Sequence, residues 1–223
     1  MLLAELAEVS GVSVASIKFY RREGLLPAGA RLTATRQDYG TAHLERLELI
    51  QVLREVAGAP IARIAHLTAI LDDPEQPLLS ALGAAQLISL GLPAEEPDTA
   101  GAGLPEHPSI APLLSHLGWP DVHTAPRSAL DTLLRSLEGW GMPTDDEVLR
   151  RFAEPVAEIA RADVASIRDL RGELPDGPDG SPVSDDVQVM RAVAGAIAFD
   201  RLIQLLRALG HTSYSILQAR DPG

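Results

Sequence analysis

Cysteine is absent from this 223-residue chain. That excludes disulfides, thiolate metal sites and cysteine nucleophiles together, and it suits a reducing, cytoplasmic setting. Lysine occurs once, at Lys18, so arginine carries nearly all the positive charge. Arginine is the better residue for bidentate contacts to phosphate and guanine. No run of about 18 apolar residues is present, so no membrane-spanning helix is expected. Met1–Val9 holds Glu5 and Glu8 and no basic residue, which is not the pattern of a signal peptide. There is no phosphate loop, no Gly-x-Ser-x-Gly and no His-Glu-x-x-His, so neither an enzyme, a catalytic residue nor a cofactor is expected. What the chain does have is 46% hydrophobic residues, enough to bury a core and exclude wholesale disorder.

The net charge of -12 argues against nucleic acid when read as one number. Its distribution argues the reverse. Residues 1–73 hold eight basic and nine acidic groups, so nearly all the acidity lies beyond Asp73. Within Ser13–Arg36 five basic residues face only Glu23, a local charge of +4. Such a stretch is either a solvated helix face or a phosphate-facing surface.

The hydrophobic pattern is mainly α. Leu2–Val9 and Ser13–Glu23 read as two short helices joined at Ser10-Gly11, with Ser13 as an N-cap. Ala28–Gly40 lacks a helical period and suits a small β-hairpin. Thr41–Val56 and Ile61–Leu71 follow as helices, and Asp72-Asp73-Pro74 ends this unit. Leu78–Leu90 is a short apolar helix, and Gly91–Pro108 reads as a linker. Helical period returns in Pro108–Leu117, Ala125–Gly139, Thr144–Leu170 and Ser184–Leu209, with a last turn at Ser213–Ala219. Pro155 should kink or split the third of these. The expected organisation is a DNA-binding domain over 1–73, a connecting helix and linker over 74–107, and an all-helical dimerisation and effector domain over 108–223.

The first two helices have helix-turn-helix spacing: Ala7 at the crossing, Gly11 in the turn, Val12, Ile17 and Tyr20 pointing back. Such a unit lays the outer face of its second helix in a major groove. Here that face is Ala15, Ser16, Lys18, Phe19, Arg21 and Arg22. The run Ser16-Ile17-Lys18-Phe19-Tyr20-Arg21-Arg22-Glu23-Gly24-Leu25-Leu26-Pro27 closely resembles the MerR family of transcription regulators, actinobacterial members above all. The resemblance continues through Tyr39, Leu44–Leu47 and Ile61–Leu71. It implies a winged helix-turn-helix with a small β-hairpin wing, double-stranded DNA as partner, a homodimer, and RNA polymerase as a further partner. It also implies DNA contact by Lys18, Arg21 and Arg22, by the Ser16 hydroxyl, and by Arg36 and Tyr39 in the wing. Tyr20 is more often packed, though its hydroxyl could reach a phosphate. The wing departs from the family's Asn-Gly-Tyr-Arg-x-Tyr, since Arg36 and Gln37 replace its first tyrosine and its arginine. The family's long antiparallel dimer helix is also replaced, by Pro74, Pro77 and the short Leu78–Leu90, so the dimer should be built elsewhere.

Beyond residue 107 the reading is thinner. Trp119 and Trp140 each sit beside a glycine at a helix end, as core residues or as the lining of a pocket for a small apolar effector. His107, His116 and His123 match no metal-ligand spacing, and no metal site is expected. The expected function is a dimeric, sequence-specific DNA-binding regulator responsive to a small apolar ligand. The alternative is a small-molecule-binding or sequestering protein with a vestigial DNA-binding domain.

Overall fold

The computed structural model describes residues 1–33, 36–93, 105–173 and 183–220. Ala34 and Thr35 of the wing, and most of the two loops expected at 91–108 and 172–182, lie outside them. The elements in order are α1 (Leu3–Ser10), α2 (Val14–Arg22), β1 (Ala30–Arg31), β2 (Gln37–Asp38) and α3 (Thr41–Gln51). The last of these continues as a π-helical turn, Val52–Val56. Then come α4 (Ile61–Asp72), α5 (Leu78–Ser89), α6 (Ile110–Leu117), α7 (Ala125–Gly139), α8 (Asp146–Glu173) and α9 (Asp185–Arg220). The chain is a winged helix-turn-helix followed by helices. Among the described residues, no helix is long and apolar enough to cross a membrane.

Local chemistry sets the first elements. Gly11 takes φ 69°, a left-handed value that suits glycine, and ends α1. The Ser13 hydroxyl accepts from the Ser16 amide at 3.0 Å and starts α2. Leu6, Val12, Ile17, Leu26, Tyr39 and Leu47 then close one core around the two helices and the wing.

Two compact units result: Met1–Gly91 with Ser184–Gly223, and Leu92–Val183. This grouping differs from the expected boundaries at 73/74 and 107/108. The reason is a second core, in which Leu49, Ile50, Leu53, Ile64 and Leu67 pack with Ala81, Ala85 and Ile88 of α5 and with Val189 and Val193 of α9. The last helix therefore completes the N-terminal body. A buried ion pair fixes it there. Arg46 on α3 is 5% exposed. Its Nε donates to both Asp186 carboxylate oxygens, at 3.0 and 2.9 Å. Its Nη1 reaches the Leu25 carbonyl at 3.3 Å, and its Nη2 reaches Asp72 at 2.7 Å. Burial alone would depress the Arg46 guanidinium, and the hydrogen bonds to Asp72 and Asp186 more than restore it.

Two helices are longer than expected. Pro155 does not interrupt α8. It stands on an exposed face, where water can satisfy the carbonyl that proline leaves without a donor. Nor does Gly210 interrupt α9, which runs 36 residues as one helix.

The Leu92–Val183 unit has a small core of its own, with Ile110, Leu113, Leu134 and Ala157 buried. Charge fastens its edges. Arg127 holds Glu106 at 2.6 Å, and Arg135 holds Asp131 at 3.0 Å while also donating to the Pro105 carbonyl. Asp131 accepts from the His107 amide at 2.6 Å as well. The Arg135 hydrogen bond, then that amide, hold the Asp131 carboxyl below its usual range.

Two outcomes follow from these contacts. Arg46→Ala strands Asp186, whose side chain is 13% exposed, without its cation, and should cost about 3–5 kcal/mol. Asp186→Ala leaves Arg46 with Asp72 and should cost clearly less; equal losses in urea unfolding would contradict this account of α9. Asp131 has a folded-state pKa below its unfolded value. Its stabilisation is present above the unfolded carboxyl range and is lost as pH falls through the folded value. Tryptophan-monitored unfolding of this unit, which holds both Trp119 and Trp140, should therefore weaken towards acid pH, and Asp131→Asn should flatten that limb.

Candidate nucleic-acid interface

Helix α2 buries Ile17 completely and turns its other side outward. Lys18 and Arg22 are exposed there, while Ser16 and Arg21 are half-buried. The Lys18 side chain makes no hydrogen bond or ion pair with the described residues. The Arg22 guanidinium lies 5.2 Å from the Phe19 ring centroid, with its Nε 3.1 Å from Glu23. Both contacts are at the surface, where a phosphate competes with them readily. The Ser16 hydroxyl stands 2.9 Å from that of Ser13, so it belongs to the cap as well as to the outer face.

Arg21 is engaged differently. Its Nη1 donates to the Tyr39 hydroxyl at 2.8 Å, and that hydroxyl donates to Gln37 Oε1 at 3.0 Å. The guanidinium also sits 5.9 Å from the Tyr39 ring centroid. This relay ties the basic end of α2 to strand β2. Tyr39, expected as a wing contact, is 2% exposed and its hydroxyl is committed. It braces the wing from inside instead of presenting itself to a ligand. Tyr20 is half-buried against both cores, with its ring edge-on to Phe19 at 5.8 Å.

The wing is two short antiparallel strands, with Ala30 opposite Asp38 and Arg31 opposite Gln37. Its turn is closed by Leu32 N donating to the Arg36 carbonyl at 2.9 Å and by Arg36 N donating to the Thr33 hydroxyl at 3.1 Å. Both Arg31 and Arg36 are exposed. Arg31 was not singled out as a site residue, although it stands in the basic run. Gln37 stood out only as a departure from the family wing, and Gly29 not at all. Gln37 occupies the position where the resemblance leads one to expect arginine, and its carbonyl accepts from Tyr39. A Cβ on Gly29 would stand 2.5 Å from the Asp38 carbonyl oxygen and 3.1 Å from the Tyr39 ring. Nothing local in the sequence signals that approach.

The structure does not bring the two tryptophans together as a pocket. Trp119 and Trp140 are 42% and 73% exposed. The open hollow of their unit is lined by His107, Ser109, Glu138, Met142, Thr144 and Asp145 among others, and by neither tryptophan. Each follows a helix C-terminus, where the chain turns through a left-handed glycine, Gly118 or Gly141. Among the described residues, no group of three His, Cys, Asp or Glu could hold a metal ion.

Comparison with known proteins bears on the same region. Residues 1–69 match the family model described as "MerR HTH family regulatory protein". A curated relative, the "Probable heavy metal-dependent transcriptional regulator" of Haemophilus influenzae, is 34% identical over 76 residues. That alignment covers 34% of this chain and 59% of the relative. A solved structure, the "putative transcriptional regulator SCO5550 from Streptomyces coelicolor A3(2)", is 29% identical with a TM-score of 0.57. It covers 99% of this chain and 97% of its own, so the likeness extends through the C-terminal helices.

The Gly29 contact yields a test of the wing. Gly29→Ala must move the β2 backbone or the Tyr39 ring, at a cost of about 1–3 kcal/mol. A lowered midpoint in urea is expected, and an unchanged one would mean that the wing does not seat against Gly29.

Proposed function

We propose that this chain, whose residues 1–69 form a MerR-type helix-turn-helix domain, is a sequence-specific, cytoplasmic DNA-binding transcriptional regulator without enzymatic activity, acting as a homodimer. The supporting observation is the placement of charge. In a protein of net charge -12, Lys18 and Arg22 project from the open side of α2 and Arg31 and Arg36 from the wing. A recognition helix enters the major groove with such side chains while a wing grips the flanking backbone. Ser16 and Arg21 complete the outer face, and Arg21 is aimed by Tyr39. Two copies would address half-sites about 34–36 Å apart or a multiple of that.

The acidic remainder repels DNA and favours one orientation of the complex. An activating mode would add RNA polymerase as a second partner. We assign signal reception to the Leu92–Val183 unit, whose open hollow beside His107 is the place for a small-molecule effector.

The test is binding to the chain's own upstream region across a salt series. Each phosphate contact contributes a slope of about -0.9 in log K against log salt. Removing one contact per subunit from a dimer by Arg22→Ala should therefore flatten the slope by about two. Lys18→Ala should do the same, and Arg22→Ala with an unchanged slope would reject α2 as the contact helix. A chain that binds no DNA at low salt but binds small molecules would favour a sequestering role instead.

A further inference from the structure

The Leu92–Val183 unit carries seven arginines against seventeen carboxylates, a net of -10 in a chain of net -12. Its hollow, of about 600 Å³, lies where the start of α6, the end of α7 and the start of α8 meet. That volume suits a small molecule. Ser109 ties its walls together by donating its hydroxyl to the Thr144 carbonyl at 3.0 Å. Two carboxylates line it, Glu138 and Asp145. Among the described residues, no arginine forms an ion pair with either; Arg127 and Arg135 are spent on Glu106, Asp121 and Asp131. Glu138 stands in the last turn of α7, where the negative end of the helix dipole disfavours an acid. A local preference overridden in this way marks a functional position.

Behind Glu138 stands a buried donor without an acceptor. His107 is 2% exposed. Its Nδ1 accepts from the Ser109 amide at 3.3 Å, so the ring proton sits on Nε2. Nε2 lies 3.0 Å from Glu138 Oε1, yet its N–H is not directed at the carboxylate and makes no hydrogen bond. Buried polar groups are ordinarily paired. Resting on the reading of this unit as the signal receiver, we propose that the hollow takes a small hydroxylated primary amine, an amino alcohol or amino sugar. Glu138 and Asp145 hold its ammonium, and a neighbouring ligand hydroxyl accepts from His107 Nε2. The Glu138 side chain is 53% exposed, so it can turn outward to the ammonium and clear the way to Nε2.

The same groups select against other occupants. An anion, or an amino acid with its own carboxylate, meets Glu138, Asp145 and the negative charge of the whole unit. A metal ion finds no lone pair on His107, because Nδ1 is taken and Nε2 carries hydrogen. A lipophilic amine gains little. The hollow is open to solvent, the apolar side chains in its lining are Pro108, Met142 and Pro143, and both tryptophans stand outside it. Such an amine would also leave the His107 N–H unpaired. A neutral sugar would satisfy that N–H and leave both carboxylates without a cation.

Trp140 adjoins Gly141 of the lining, so its emission reports occupancy, and Trp119→Phe leaves it the single reporter. Titrating the full chain with glucosamine or ethanolamine should shift that emission saturably, and glucose should not. Cyclohexylamine, a ring amine without hydroxyls, should bind about tenfold more weakly than glucosamine, as should glucosamine to Glu138→Gln; each lacks one hydrogen bond to a buried or charged group. Asp145→Asn should weaken binding likewise and keep the start of α8, since Asn caps as well as Asp. Circular dichroism checks that both variants fold, and the comparison of compounds on the native chain decides the case without them. No response to either hydroxylated amine at millimolar concentration would overturn the site. So would glucose or cyclohexylamine binding as tightly as glucosamine, or undiminished binding by folded Glu138→Gln. DNA binding by a chain that ignores both amines would reject this ligand class and leave the functional reading standing. Amine binding with the stated selectivity, by a chain that binds no DNA, would do the opposite.

Discussion

One guanidinium holds the N-terminal body together. Arg46 gathers the Leu25 carbonyl behind α2, Asp72 at the end of α4 and Asp186 at the start of α9. Three elements that are far apart along the chain meet at its fork. A planar five-donor group suits this task better than an ammonium would. Burial holds the Asp186 carboxyl above its usual range, and Arg46 offsets only part of that rise. A pair of this kind gives modest net stability and strong positional definition. Its value here is that α9 cannot slide along α3 without leaving a buried charge unmatched.

The recognition surface is built on the same logic at smaller scale. Tyr39 spends its ring on the core and its hydroxyl on Arg21 and Gln37. Arg21 is thereby pre-oriented, which would reduce the ordering entropy of the proposed DNA contact. Lys18 and Arg22 remain loosely held at the surface, free to adapt to the phosphates of the proposed complex. A rigid arginine beside two adaptable cations divides positioning from attraction.

The local features were legible in the sequence because local chemistry decides them. The Ser13 cap, the Gly11 turn and the Ile17 anchor follow from residue type and spacing within a few positions. So do the limits of α1, α2 and α7. What was not legible depends on partners distant along the chain. Asp186 reads as an ordinary acidic helix start, yet it pairs with a residue 140 positions away. Tyr39 looks like a wing contact until Leu6 and Ile17 are seen around it. Gly29 gives no hint of the Asp38 carbonyl. The unbroken α9 was missed because Gly210 and Ser213 suggest an end, although neither forbids a helix.

The division into units has a consequence for how the molecule is made. The N-terminal body is discontinuous: its core lacks Val189 and Val193 until α9 returns across the 92 residues from Leu92 to Val183. Closing a loop of that length costs about 4 kcal/mol in chain entropy before any contact offsets it. Synthesis proceeds from the N-terminus, so α1 to α5 emerge long before the helix that completes their core. A nascent or truncated chain would carry the basic helix on an unfinished body. The fold thus makes completion of the N-terminal core depend on completed translation through α9.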